Sequence, residues 1–330
     1  MKVLYIYRNQ SLGFSIAKVF RPIEEEMRKY VDVVDSIYLP VAGAKPWQLW
    51  HNIRAARRAV TAKDYDIVHI TGSEHYLIPF LKGKFKVVVT VHDLGFFTNF
   101  SFSLRTFVLY LLWIKTLKQA DQVTCISEKT MDEVKKFINF KVGQLATVHN
   151  PVGREFIFKA KKFNALCPMI LHIGTKPNKN LNNTIIALKD FSYKLRIIGK
   201  PSKEQYNLLD IYHVNYTVAY NLTNEEIVHE YERCDIVNFP SLYEGFGMPI
   251  IEGQAIGRVV VTSDLSPMRE IANGGAVLVD PVIPSSILSG YKEAVKKHQE
   301  LVEIGLENVK RFKLETVTQK YYSIYKKIVK

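Results

Sequence analysis

Apolar residues along this chain gather in short runs, separated by longer stretches in which they recur at helical spacing. In the first half the runs cover 3–7, 31–39, 66–71, 86–91, 122–126 and 145–149. In the second half they cover 169–173, 195–199, 216–220, 236–239, 259–262 and 276–279. Most are rich in Val, Ile and Leu throughout, as strands buried on both faces are. Strands alternating with helical patterns predict parallel α/β units. Ser127, Thr223 and Ser266 each stand where a helix would need a cap. Thr223 has Glu226 three residues on, and Ser266 is followed by Pro267. The stretch 150–168 lacks periodicity and fits a connection between two domains. Residues 285–330 read as two or more helices.

One segment carries chemistry above the rest: Ser241-Leu-Tyr-Glu244-Gly245-Phe246-Gly247-Met248-Pro249-Ile-Ile-Glu252. It follows a short buried strand at 235–240. Pro249 suits the first turn of a helix, so Gly245, Phe246, Gly247 and Met248 are expected to form the turn into it. Amides there lack intrahelical partners and face the positive end of the helix dipole, which favours a phosphate. Glu252 is expected in the first helical turn and Glu244 on the loop before it. Two carboxylates beside a phosphate would repel it, so they suit hydroxyl pairs instead: a sugar at one end and a ribose at the other. The plainer alternative is a helix start in which Ser241 and Glu244 make a capping box.

These residues resemble the paired-glutamate motif of the retaining glycosyltransferases of family 4. The likeness continues from Leu222-Thr-Asn-Glu through Tyr231, Asp235 and Phe239-Pro-Ser to Ser263, Glu270 and Gly275-Ala-Val-Leu-Val-Asp-Pro281. It is weaker in the first half. The resemblance implies the α/β GT-B fold, two Rossmann-like domains whose parallel sheets face an interdomain cleft. Residues 1–160 would bind the acceptor and 161–330 the nucleotide sugar, with the final helix packing back on the first domain.

It also implies roles. Glu244 would hold the donor sugar and stabilise developing positive charge, and Glu252 would bind ribose. Gly174-Thr-Lys176-Pro-Asn178-Lys179-Asn-Leu follows a strand and opens a helix, where doubly wound folds bind ligands. Lys179 matches the family lysine that neutralises the leaving diphosphate. The neighbouring family arginine is here Asn178, for which Lys176 would compensate. His92, in Thr90-Val-His92-Asp93-Leu, matches a histidine that contacts the donor sugar. Gly13, in Arg8-Asn-Gln-Ser-Leu-Gly13, stands where the family has a loop richer in glycine. His69 and His75 are weaker candidates for the same cleft.

The expected activity is hexosyl transfer with retention, from a nucleoside diphosphate sugar to a hydroxyl of a glycan or lipid-linked acceptor, in polysaccharide or glycolipid biosynthesis. No cofactor and no metal are expected, because Lys179 and helix N-termini would neutralise the diphosphate. A sugar-nucleotide epimerase of the same fold and a non-catalytic sugar-nucleotide-binding paralogue remain as alternatives. The form Thr-Val-His-Asp-Leu resembles members that use mannose and related sugars.

Composition narrows the setting. The chain has 330 residues, 47% of them hydrophobic, enough for two domains with real cores. Its three cysteines share no metal-ligand spacing and are expected as buried thiols. The first residues read as a strand and not as a signal peptide, and the apolar run 106–114 is too short to span a bilayer. A cytoplasmic protein is expected, or one peripheral to the cytoplasmic membrane face. The formal charge of +13 suits phosphorylated ligands or an anionic membrane surface. No nucleic-acid-binding signature accompanies it. Residues 46–58 read as a helix with Trp47 and Trp50 beside Arg54, Arg57 and Arg58. It fits a membrane surface or packing on the first sheet equally well. Phe96, Phe97, Phe100 and Phe102 could meet a lipid acceptor or simply close the domain.

Overall fold

The computed structural model of the protein describes all residues except Phe14, Lys82, 96–102, Asp190 and Lys330. The phenylalanines at 96, 97, 100 and 102 therefore lie outside the described residues. The chain divides into two compact units, Met1–Pro151 with Leu314–Lys330, and Val152–Lys313. The sequence boundary at 160 falls inside the second unit. Residues 152–160 are held there: Lys159 N–H donates to Ile256 O at 3.2 Å, and Phe156 meets Tyr231 edge-on.

The first unit is built on six parallel strands, β1 (Lys2–Tyr7), β2 (Val33–Tyr38), β3 (Ile67–Ile70), β4 (Lys86–Val91), β5 (Gln122–Cys125) and β6 (Leu145–Thr147), in the order 2-1-3-4-5-6. Successive side chains of a strand point to opposite faces, and β1 shows why this sheet is buried on both. Leu4 and Ile6 join a core with Ala56, Val60 and Leu117. Val3, Tyr5 and Tyr7 join another with Phe20, Ile23, Val317, Tyr321 and Tyr325. The last helix, Leu314–Val329, thus supplies one wall of this core. A buried polar chain fastens it. The Tyr325 hydroxyl lies 2.6 Å from His69 Nδ1 and 3.2 Å from the Tyr5 hydroxyl, and His69 Nε2 lies 2.8 Å from Thr90 Oγ1. His69 is fully buried, and desolvation pushes its pKa down to about 3, so the ring is a neutral structural link.

The second unit carries β7 (Met169–Ile173), β8 (Lys194–Ile198), β9 (Tyr216–Ala219), β10 (Ile236–Phe239), β11 (Val259–Ser263) and β12 (Val277–Val279), all parallel, in the order 12-11-10-7-8-9. Its chain reverses direction across the sheet between β7 and β10. In the first sheet the reversal lies between β1 and β3. Such switch points, at the carboxyl ends of the strands, are where doubly wound folds open a crevice.

Local signals explain most boundaries. Ser127 accepts from Thr130 N, and Thr223 and Glu226 form the expected capping box. Ser266 does not cap: it joins Pro267 through a cis peptide, and the helix begins at Met268 after Pro267. Cys125 and Cys234 are buried thiols, whereas Cys167 is partly exposed. Among the described residues no helix is long and apolar enough to cross a membrane.

Candidate active site

At the switch point of the second sheet the loops after β7 and β10 are bound together. Leu242 N–H donates to Asn178 O at 2.8 Å, and Asn178 Nδ2 donates to Tyr243 O at 3.1 Å. Asn180 takes a left-handed conformation (φ 63°) and its side-chain amide reaches Pro240 O and Pro281 O, at 3.0 and 2.6 Å. This fixes the start of the following helix, Leu181–Leu188. Lys179 then turns back across Gly174, where a Cβ would stand 2.8 Å from Lys179 Cγ. Only glycine leaves that path open, and its φ of 91° also suits glycine.

The Lys179 ammonium lies 2.6 Å from Glu244 Oε1 and 4.8 Å from the centre of the Phe239 ring. Asn178 Nδ2 adds a longer contact to the same carboxylate oxygen, 3.4 Å. The two motif residues assigned to different parts of a donor thus meet here. Lys176 is exposed on the same loop.

Helix Met248–Ile256 begins after Gly247, which has φ 117°, with Pro249 at its second position. Ser241 and Glu244 do not cap it, so the plainer reading of the segment fails. Ser241 is buried on the strand side, where its carbonyl accepts from Ser263 Oγ at 2.7 Å. Gly245, Phe246 and Gly247 form the turn as expected, but Met248 is already helical. Glu252 consequently lies in the second turn and not in the first. Tyr231, fully buried, donates its hydroxyl to Glu252 Oε2 at 2.5 Å. Desolvation and then the Glu252 charge hold the Tyr231 pKa well above the usual tyrosine range, so Tyr231 remains a donor. The sequence contained Tyr231 but no spacing rule linked it to Glu252.

The first unit has its own crevice at the β1/β3 switch point. A cavity of about 340 Å³ is lined by Arg8, His75, His92, Asp93, Leu109 and Trp113, among others. His92 follows β4, and its Nε2 lies 2.8 Å from Thr71 O. Burial pushes its pKa down, against that hydrogen bond. Gly13 lies beside the cavity through Arg8, whose Nη2 donates to Gly13 O at 3.2 Å and to Ser15 Oγ at 3.1 Å. Next to it Glu74 is almost fully buried, and desolvation raises its pKa to about 7 despite the Arg8 charge. Neither Arg8 nor Glu74 stood out in the sequence, because one charged side chain on a loop carries no periodic signal.

Two family models match the chain: Glycosyltransferase Family 4 over residues 17–156 and Glycosyl transferases group 1 over residues 153–308. The O-antigen chain mannosyltransferase RfbU of Salmonella typhimurium is 26% identical over 237 residues, covering 69% of this chain and 64% of that protein. The chain therefore spans less than two thirds of that relative's length. O-antigen chain mannosyltransferase B of Escherichia coli is 23% identical over 299 residues, 82% of this chain and 77% of that protein. Among solved structures, sucrose-phosphate synthase from Thermosynechococcus elongatus superposes with a TM-score of 0.80 at 16% identity, covering 99% of both chains. Anabaena Alr3699/HepE, in complex with UDP and glucose, superposes with a TM-score of 0.74 at 15% identity, covering 98% of both. These likenesses and the two six-stranded parallel sheets give the GT-B fold.

Proposed function

The chain belongs to glycosyltransferase family 4, and from that premise we propose that it moves a hexose-type sugar from a nucleoside diphosphate sugar to a glycan or glycolipid hydroxyl. The observation that carries this reading is the Lys179–Glu244 pair at 2.6 Å, on the two loops that meet at the β7/β10 switch point. It sets a cation for a diphosphate and a carboxylate for sugar hydroxyls within one ligand's length of each other. Mannose is the first donor sugar to test, because RfbU and mannosyltransferase B are described as mannosyltransferases. Those relatives also point to O-antigen or lipopolysaccharide-type glycans as acceptors.

In the proposed mechanism Glu244 accepts hydrogen bonds from the donor sugar and offsets positive charge as the glycosidic bond breaks. Lys179 and the amides at the start of helix Met248–Ile256 take the charge that builds on the diphosphate. Glu252, oriented by Tyr231, receives the ribose diol. The acceptor hydroxyl attacks from the leaving-group face and gives its proton to the departing diphosphate, so anomeric configuration is retained, and no metal is required. The exposed Trp47 and Trp50 beside three arginines would bring the protein to an anionic membrane, where lipid-linked acceptors reside.

A thermal-shift screen of nucleotide sugars tests this directly. A ligand at one hundred times its Kd stabilises by about 2.7 kcal/mol, a readily measured shift. The stabilising donor is then incubated with lipid-linked oligosaccharide in chelator. Retained-anomer product supports the proposal. No stabilisation by any nucleotide sugar, or an epimerised donor in the absence of acceptor, would overturn it. Activity abolished by chelator and restored by Mg²⁺ would remove the metal-independent part.

A further inference from the structure

Arg258 follows helix Met248–Ile256 and is only 4% exposed. Its guanidinium donates to five main-chain carbonyls. Nε reaches Tyr231 O at 3.0 Å, and Nη2 reaches Glu232 O at 2.9 Å. Nη1 meets Ile256 O, Gly257 O and Lys159 O at 3.2, 3.1 and 2.9 Å. An arginine keeps its charge in a protein, and burying a charge is costly unless hydrogen bonds satisfy it. Here two helix ends do so. Tyr231 and Glu232 lie in the last turn of helix Asn224–Arg233, while Ile256 and Gly257 close helix Met248–Ile256. Carbonyls at a helix C-terminus lack intrahelical partners and carry the negative end of the dipole. One cation thus caps both helices.

These helices pack together and carry the pair that shapes the ribose end of the site. Tyr231 gives its hydroxyl to Glu252 Oε2 at 2.5 Å. Tyr231 is also the residue whose carbonyl Arg258 Nε holds. Arg258 is in turn locked to the helix of Glu252, because its own N–H donates to Gly253 O at 2.8 Å. The path from Glu252 along the main chain to Arg258, across to Tyr231 O and back through the Tyr231 hydroxyl is therefore closed. Sliding either helix along the other breaks it at one of its hydrogen bonds. A lysine ammonium is a single point and cannot reach all of these carbonyls at once, whereas the planar fork of arginine does.

We propose that Arg258 is a positioning residue for Glu252: it fixes the offset between the two helices and so holds the carboxylate where both ribose hydroxyls donate to it. This rests on the reading of Glu252 as the ribose carboxylate. Arg258 acts through Tyr231 and not on the ligand.

The test separates ribose recognition from overall affinity. Calorimetry on the full chain gives the Kd of GDP and UDP and of their 2′,3′-dideoxy forms, which lack the diol. The ratio of dideoxy to parent Kd isolates what the diol contributes. In the wild type that ratio should be about tenfold or more for the nucleotide that binds. Arg258→Met removes the charge and every donor; Arg258→Lys, the milder change, keeps the charge. In both the ratio should collapse toward one, while the dideoxy forms bind as they do to the wild type. Arg258→Lys combined with Tyr231→Phe should show the ratio of Tyr231→Phe alone, since both changes act on one bond.

An unchanged ratio in the folded variants overturns the proposal. So does a loss shared equally by parent and dideoxy nucleotides, which is what general loosening of the unit gives. Losses that multiply in the double variant overturn it too, because Arg258 then acts elsewhere than through Tyr231. If neither variant folds, Arg258 is a folding residue and the positioning role falls. A wild-type ratio of one, or a wild type that binds neither nucleotide, overturns the ribose reading of Glu252 itself, and this inference with it.

Discussion

The Lys179 ammonium and the Glu244 carboxylate lie 2.6 Å apart, each only modestly exposed, with side-chain accessibilities of 23% and 15%. In the proposed reaction each serves a different part of the donor, so without a ligand each holds the other's place. A diphosphate must compete with Glu244 for Lys179. Glu244→Gln is therefore expected to bind free UDP or GDP several-fold more tightly while transfer falls by at least ~10²-fold, the usual loss when a transition-state contact is removed. Calorimetry and initial rates measure the two effects. Equal or weaker nucleotide affinity would show that the pair does not restrain Lys179.

Tyr231 prepares Glu252 from beneath. Tyr231→Phe keeps the ring and its edge contact with Phe156 but withdraws the hydroxyl from Glu252 Oε2. Loss of one hydrogen bond to a charged group is worth about 1.5–3 kcal/mol when it is fully expressed. Nucleoside diphosphate affinity should fall about tenfold or more, with Tm little changed. Unaltered affinity would leave Tyr231 a packing residue alone.

Glu74 should give stability a pH dependence of known sign. Its folded pKa, about 7, lies above its ordinary value of 4.5 because burial penalises the carboxylate. Between these values the folded state binds more protons than the unfolded one, so stability is full below the lower value and falls as pH rises through the upper. Glu74→Gln should remove that slope and melt higher than wild type at pH 8, by at most about 3 kcal/mol of added stability. Parallel Tm profiles from pH 5 to 8 for both proteins would contradict this.

Helix Pro46–Val60 buries Asn52, Ala56 and Val60 against the first unit and leaves Trp47 and Trp50 55% and 54% exposed. Both uses considered for it are thus compatible: one face packs and the other is free. Arg54 lies over the Trp50 ring at 5.4 Å, and Arg57 and Arg58 share the exposed side. Trp47→Ser with Trp50→Ser should abolish co-sedimentation with phosphatidylglycerol vesicles at low salt and leave Tm unchanged. Equal sedimentation of wild type with neutral phosphatidylcholine vesicles would remove charge from the argument.

The twelve strands were legible in the sequence because buried parallel strands are continuous apolar runs, and the chain punctuates them clearly. What escaped was set by three-dimensional contact or by fine backbone geometry. The helix after Gly247 starts one residue earlier than a turn through Met248 would allow, which makes Glu252 its fifth residue and moves it just past the first turn. The apolar run 106–114, read only as too short to span a bilayer, lies in a short α-helix, Leu104–Leu109, and the π-helical turn that follows it, Tyr110–Ile114. That turn helps place the Trp113 carbonyl, 2.7 Å from His75 Nδ1. Periodicity cannot foresee it, because hydrophobic spacing does not distinguish adjacent helical types. The hydrogen-bond partners of Glu244 and Glu252 arise from residues 65 and 21 positions away, beyond any local motif.

The closing helix Leu314–Val329 has a consequence for how the protein is made. Its tyrosines complete a core whose other wall is the first strand. On a ribosome, residues 1–151 emerge first yet cannot finish folding until residues 314–329 have followed them out. Val152–Lys313, being continuous, can be finished while the earlier segment still waits with Val3, Tyr5 and Phe20 uncovered. Synthesis order and maturation order are therefore opposite, and the nascent first unit is the stretch for which a chaperone would have the longest claim.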